Sequence, residues 1–438
     1  MAKPPRSFLK DASVILRADL LYVGSRFLIS VILARFLGPE GRGILAARYV
    51  APNIVQTQLD LGIRRSLVFH LAREKCPEGK VIANAGLLFF VSSALGMLAC
   101  AGYLIFLTDN DFPLLLVALV TLTLPLQVSF EYFRGYFLSK ENIQLFSLVR
   151  VLRSILRIVG FSLLIMVLQG GVVGALLADI ITALIVLFIV LRVFWRQAEF
   201  TFDIDFSMCR SLLAKGLTYS VSLFVLMLNF RIDVVMLNQL STVYEIGIYS
   251  LAVNWAELMW YAPEALGTLA FAKRANAADD SAVDQKVPRL FRLSFLALMF
   301  AAMPALLSPV LFPLIYGQEF APAGDMFLIL LPGVITFSLF RILNGDLSGR
   351  GKPLVSLLVS VPIFALNVGL NAYLIPHYGA AGAAMASTLA YVLAAALFLV
   401  VYCRVSRIPL SRFLVFQGED LDFFADKIGR FMPRLSRS

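Results

Sequence analysis

GVVGALLADIITALIVLFIVLRVF, residues 171–194, carries only two charges, Asp179 and Arg192, in an otherwise apolar run. As a helix rising 1.5 Å per residue it is about 36 Å long, enough to cross a hydrocarbon core of about 30 Å. Comparable runs lie on both sides of it. They cover 11–37, 43–70, 81–107, 113–138 and 143–168 before it, and 208–240, 245–272, 288–315, 325–348, 354–375 and 379–403 after it. The pattern predicts an all-α integral membrane protein of about twelve transmembrane helices.

Composition agrees. Of 438 residues, 60% are hydrophobic and 15% charged, with 36 Phe against 3 Trp. Mean hydropathy is +0.84. No water-soluble core of this length accommodates so much apolar surface. The basic N-terminus resembles a signal peptide, but the segment after it runs past a short apolar core and carries Arg17, Asp19 and Arg26, so it reads as an uncleaved first helix. Cys76, Cys100, Cys209 and Cys403, like His70 and His377, are too scattered to suggest a disulfide or a metal cluster.

The net charge of +10 takes its meaning from placement. Breaks between the apolar runs are short and rich in turn residues, as at Gly38-Pro39-Glu40-Gly41 and Pro376-His377-Tyr378-Gly379. One alternate set holds Lys3, Arg6, Lys10, Arg73, Lys75, Lys80, Lys140, Arg196, Lys273, Arg274, Lys286, Arg350, Lys352 and a basic tail; the other holds only Arg42. Positive residues stay on the cytoplasmic side, so both termini are expected there. The expected division is a first lobe over 1–194, a cytoplasmic linker over 195–207, a second lobe over 208–403 and a basic tail over 404–438. In that tail Leu421, Phe424, Ile428 and Phe431 recur at helical spacing among Lys427, Arg430 and Arg434, which suits either an amphipathic helix on an anionic leaflet or a flexible end. Neither reading calls for nucleic acid.

A weak internal repeat supports two six-helix lobes. A shift of 204 residues lays Gly43-Ile44 on Gly247-Ile248, Asn53 on Glu257 and Asp60 on Glu264. An even number of spans between equivalents makes the halves parallel repeats about an axis along the membrane normal.

Ionised side chains at bilayer depth cost about 2.5 to 3.5 kcal/mol each, so they face a wet cavity or one another. Arg150, Arg153 and Arg157 form one helical stripe, and Glu131 and Arg134 share another. A phosphate-bearing substrate accounts for such a cationic stripe, because guanidinium groups bind phosphate bidentately. Snorkelling is the alternative for Arg150 and Arg153; Arg26 and Arg157 lie deeper. The candidate anion-binding residues are Arg26, Arg153, Arg157, Arg231 and Arg341. Candidate polar or coupling residues are Asn53, Gln56, Asp60, Asp233, Glu257 and Glu264. Arg231 and Asp233 are two residues apart and point to different sides, so Asp233 is expected to answer a group on a neighbouring helix. Pro52, Pro125, Pro263, Pro304, Pro332 and Pro362 supply kinks inside apolar runs.

Several segments resemble the Wzx-type polysaccharide flippases of the multidrug/oligosaccharidyl-lipid/polysaccharide export superfamily. Ala34-Arg35-Phe36-Leu37-Gly38-Pro39-Glu40-Gly41-Arg42-Gly43 resembles the turn after that family's first helix. Asp60-Leu61-Gly62, Arg231-Ile232-Asp233, Gly247-Ile248-Tyr249-Ser250 and Leu374-Ile375-Pro376-His377-Tyr378-Gly379-Ala380-Ala381-Gly382-Ala383-Ala384 resemble later family segments in the same order. The resemblance implies a MATE-like fold with pseudo-twofold symmetry and no enzymatic activity or cofactor. It implies movement of an undecaprenyl-pyrophosphate-linked oligosaccharide across the bacterial inner membrane by alternating access, for O-antigen, capsule or exopolysaccharide assembly, with a polysaccharide polymerase downstream. Gln56-Thr57 stands after Pro52-Asn53 where lipid II flippases carry an Arg pair, which counts against lipid II as substrate.

Two other functions compete. A drug or cation antiporter of the same fold can use Asp60, Glu257 and Glu264, but abundant arginine disfavours a cationic cargo. A membrane polymerase or glycosyltransferase needs a large external loop or a metal-binding acidic motif; only Asp203-Ile204-Asp205 has that form, and it lies in the linker.

Overall fold

The computed structural model describes residues 8–59, 62–73, 76–106, 113–140, 142–261, 263, 264, 266, 267, 270, 274, 280–352 and 354–415. Every regular element among them is helical: α1 (Phe8–Leu59), α2 (Ile63–Val68), α3 (Glu78–Phe106), α4 (Leu114–Ser139), α5 (Ile143–Phe161), α6 (Gly171–Gln197), α7 (Phe206–Leu240), α8 (Val243–Leu258), α9 (Asp280–Ala302), α10 (Ser308–Tyr316), α11 (Ala321–Gly349), α12 (Val355–Ser406) and α13 (Ser411–Leu414). The basic tail pattern at 421–434 lies outside the described residues, as does Asp60.

Seven stretches among the described residues are long and apolar enough to cross a membrane: Leu21–Gln56, Glu78–Phe106, Leu114–Ser139, Gly171–Gln197, Val283–Tyr316, Gln318–Gly349 and Val355–Ser406. The protein is a multi-pass membrane protein. Large apolar side chains on the outside of these stretches, Phe90, Leu98, Phe106 and Leu358 among them, are exposed and find their solvent in lipid.

The sequence breaks at Gly38 and Gly379 are tight, each made at a single non-helical glycine. The runs α1 and α12 are each divided into two helical segments by one glycine, and the segments fold back on each other: Arg42 reaches Ser30, and a Cβ on Gly382 would stand 2.3 Å from the Leu374 carbonyl oxygen. Gly38 has φ +64° and Gly379 φ +56°, a left-handed conformation that glycine adopts without a Cβ clash. Pro39 then occupies the first position of the next helical segment, where its missing N–H costs nothing.

The chain packs as two units, one comprising residues 1–250 with 315–319, the other 251–314 with 320–438. In the first, α1 packs against α3, α4, α5, α6 and α7. Its core joins Ile29, Leu45, Leu59, Ile63, Val120 and Leu124, and a second cluster sets Tyr136 edge-on to Phe194. The segment after the Gly38 break crosses the start of α8 at glycines. A Cβ on Gly43 would stand 1.9 Å from the Val243 carbonyl oxygen, and one on Gly247 would stand 1.9 Å from that of Pro39. These contacts exchange under the 204-residue shift, so the repeat is realised as a reciprocal, twofold-like crossing. Arg42 is buried beside it and donates to Ser250 Oγ, to the Ser30 carbonyl and to Ser30 Oγ. The one Lys or Arg of the lysine-poor breaks is therefore structural.

In the second unit α11 packs along α12 and α9. Gly333 lets it approach Thr388, whose hydroxyl donates to the Ile329 carbonyl at 2.6 Å. Phe337, Phe340, Phe398, Trp260 and Tyr391 form a continuous ring cluster. Near the ends of α11 and α12, buried Asp346 accepts from Arg274 at 2.7 Å, Arg350 at 2.8 Å and Tyr402 at 2.7 Å. Asp284 takes a second bond from each of the two arginines.

Candidate anion-binding cavity

Helix α5 is amphipathic. Leu148, Ile155 and Val159 face outward, whereas Ser147 and Ser154 are buried and Arg150, Arg153 and Arg157 follow the inner stripe. Its N-terminus is fixed by Asn142, whose side chain accepts from the Leu145 N–H.

The inner stripe borders a cavity of about 160 Å³ in the first unit, lined by Tyr22, Phe130, Glu131, Arg134, Arg150 and Arg153 together with the apolar Phe133, Phe137, Val149 and Val190. Arg150 lies over the Tyr22 ring at 4.6 Å and Arg153 over the Phe130 ring at 4.4 Å, so aromatic faces hold both guanidiniums from beneath. Glu131 bonds Arg64 at 2.8 Å and lies 3.8 Å from Arg134. Arg157, one turn beyond Arg153, gives its Nε–H to Asp179 at 2.8 Å, and Tyr49 donates to the other oxygen of Asp179 at 2.8 Å. Arg26 lies within electrostatic reach of Arg157.

Among the described residues, the cavity lining carries three arginines and one carboxylate. Arg134, Arg150 and Arg153 share that lining with Glu131, while Arg64 pairs with Glu131 and Arg157 with Asp179 beside it. Arg153 makes no ion pair or hydrogen bond with a carboxylate among the described residues. A half-buried guanidinium held over a ring and open to a cavity has donors that can meet phosphate oxygens.

The structure thus gathers Arg26, Arg153 and Arg157 in one place, and it gives Arg157 a carboxylate partner. Asn53 and Gln56 are half-buried on α1. Arg231 is half-buried on α7, and Asp233, buried on the same helix, accepts from the Tyr249 hydroxyl of α8. In the second unit Arg341 pairs with Glu264 at 2.5 Å, and Glu257 is half-buried on α8. Sequence reasoning missed Tyr22, Tyr49 and Phe130, because an isolated aromatic residue in a membrane helix carries no spacing signal.

The comparisons with known proteins bear on this arrangement. Residues 8–259 match the family model described as polysaccharide biosynthesis protein. The chain belongs to that family. The span that matches includes every residue of the cavity. A "Probable low-salt glycan biosynthesis flippase Agl15" from Haloferax volcanii is 22% identical over 389 residues, covering 85% of this chain and 79% of that protein. Among solved structures, the lipid II flippase MurJ in an inward closed conformation superposes with a TM-score of 0.67 at 15% identity, covering 93% of this chain and 89% of that one. An inward-facing multidrug resistance MATE family transporter of the MOP superfamily gives 0.68 at 17% identity, covering 88% and 94%. At such identities the likeness establishes the fold, which this polysaccharide biosynthesis family member shares with both.

Proposed function

We propose that this chain is a flippase that carries an undecaprenyl-pyrophosphate-linked oligosaccharide from the cytoplasmic to the periplasmic leaflet of a bacterial inner membrane. It is a transporter, and its cargo leaves chemically unchanged. The observation that carries this reading is Arg153, held over Phe130 at a cavity whose described lining also carries Arg134, Arg150 and Glu131. A pyrophosphate suits the bidentate geometry of guanidinium groups lining a cavity. The same lining repels a cationic drug.

Both termini are read as cytoplasmic, from the alternation of Lys and Arg between breaks. Arg153 then stands about 15 Å along α5 from its cytoplasmic start. A headgroup entering from the cytoplasmic leaflet meets Arg150 first and Arg153 next, while its polyprenyl tail stays in lipid. The two lobes alternate their access to either side, and the product feeds a polysaccharide polymerase for O-antigen, capsule or exopolysaccharide. Depleting the protein from cells tests this: lipid-linked repeat units should accumulate in the cytoplasmic leaflet, and an unchanged leaflet distribution rejects it.

A further inference from the structure

The second unit carries a polar stripe of a different character. Beyond α8 the chain continues through Trp260 and Glu264, which are joined by a backbone hydrogen bond from Glu264 to Trp260. Ala256, Trp260, Pro263 and Gly267 are buried on one side. Glu257, Tyr261 and Glu264 recur at helical spacing on another, where Tyr261 and Glu264 are exposed. The Glu264 side chain is 63% exposed although it sits inside the apolar run 245–272. Facing lipid there would cost about 2.5 to 3.5 kcal/mol, so the stripe faces water.

The charge on this stripe is internally matched. Arg341 gives an N–H to Glu264 at 2.5 Å and lies 4.4 Å over the Trp260 ring and 6.0 Å over that of Phe337. The buried rings fix the guanidinium, and the guanidinium fixes the carboxylate. A multiply charged anion gains little from a cation already neutralised in this way. A neutral polyol gains more, because its hydroxyls both donate to a carboxylate and accept from a guanidinium. Tyr261 adds an exposed ring with a polar tip, suited to the C–H face and the hydroxyl edge of a sugar.

We infer that Glu257, Tyr261, Glu264 and Arg341 form a saccharide-binding subsite that recognises the glycan of the lipid-linked cargo. This rests on the flippase reading above.

The test uses the full chain in lipid nanodiscs and two probes, lipid-linked glycan extracted from native membranes and decaprenyl pyrophosphate bearing no sugar. Glu264→Gln and Tyr261→Leu should each weaken binding of the glycan-bearing lipid roughly tenfold, the scale of one lost polar or stacking contact. Binding of the sugar-free lipid should not change, which also reports that the variants are folded. Tyr261→Phe keeps the ring and should stay within about threefold of wild type, on the same affinity scale. Equal losses for both lipids, or no loss for the glycan-bearing one, overturn the inference while leaving the flippase reading intact. Failure of the unaltered chain to bind either lipid overturns both.

Discussion

Arg157 gives its Nε–H to Asp179 at 2.8 Å, and this bond divides the cationic stripe of α5 into a structural end and an open end. Asp179 is also held by Tyr49, so three helices meet at one carboxylate. Both partners are more than three-quarters covered. Asp179→Asn should therefore strand a guanidinium and destabilise the protein by about 3 kcal/mol, seen as a lower melting temperature in detergent. Replacing both partners, Arg157→Met with Asp179→Leu, should restore most of that loss, since a well-packed apolar pair often matches a buried ion pair.

The glycine crossing makes a second prediction. A methyl group on Gly43 or Gly247 meets a carbonyl oxygen at 1.9 Å, with backbone rather than a flexible side chain in the way. Gly43→Ala and Gly247→Ala should each cost more than about 2 kcal/mol. Because both open the same contact, the double variant should cost less than the sum. Thermal unfolding of the three variants in detergent checks this.

Much of the fold was legible because lipid imposes a coarse rule: long apolar runs must be helices. Gly43 and Gly247, paired by the repeat, face each other in the structure. The breaks at Gly38 and Gly379 were legible as interruptions but not as single residues, since Gly-Pro-rich breaks look alike whatever the length of the turn. At the site, charge marked Arg153 and Arg157 as one stripe. It could not separate them, because the partner that distinguishes them, Asp179, lies on another helix and has no fixed sequence offset. For the same reason Glu264 and Arg341, 77 residues apart, stood as independent candidates rather than one pair.

The Asp346 hub should be the most sensitive carboxylate of the second unit. It is fully buried and receives Arg274, Arg350 and Tyr402. Asp346→Asn should cost about 3 to 5 kcal/mol, because two guanidiniums lose their shared partner. Asp284→Asn should cost less, its side chain being 27% exposed. Melting curves of the two variants rank them.

The linker carries a pH signature. Lys80 bonds Asp205 at 2.6 Å, and that contact, with the Ser207 N–H, holds the Asp205 carboxyl below its ordinary value of 3.8. A depressed carboxylate stabilises the folded linker above its unfolded pKa, and this stabilisation is lost as pH falls through the lower folded value. Proteolysis within residues 198–205 should stay slow at pH 5 and above and quicken only below about pH 4, in the range of the unperturbed carboxylate. Asp205→Asn should show the fast rate at neutral pH.

The central claim is that Arg153 binds the headgroup, and transport in reconstituted vesicles tests it most directly. Flipping of a polyprenyl-pyrophosphate-linked glycan should fall at least about tenfold in Arg153→Ala, the usual scale for a lost charge-assisted contact, with melting temperature unchanged. Arg153→Lys should recover only part of it, since an ammonium lacks the bidentate fork. An Arg153→Ala protein that flips the lipid at the wild-type rate would contradict the account.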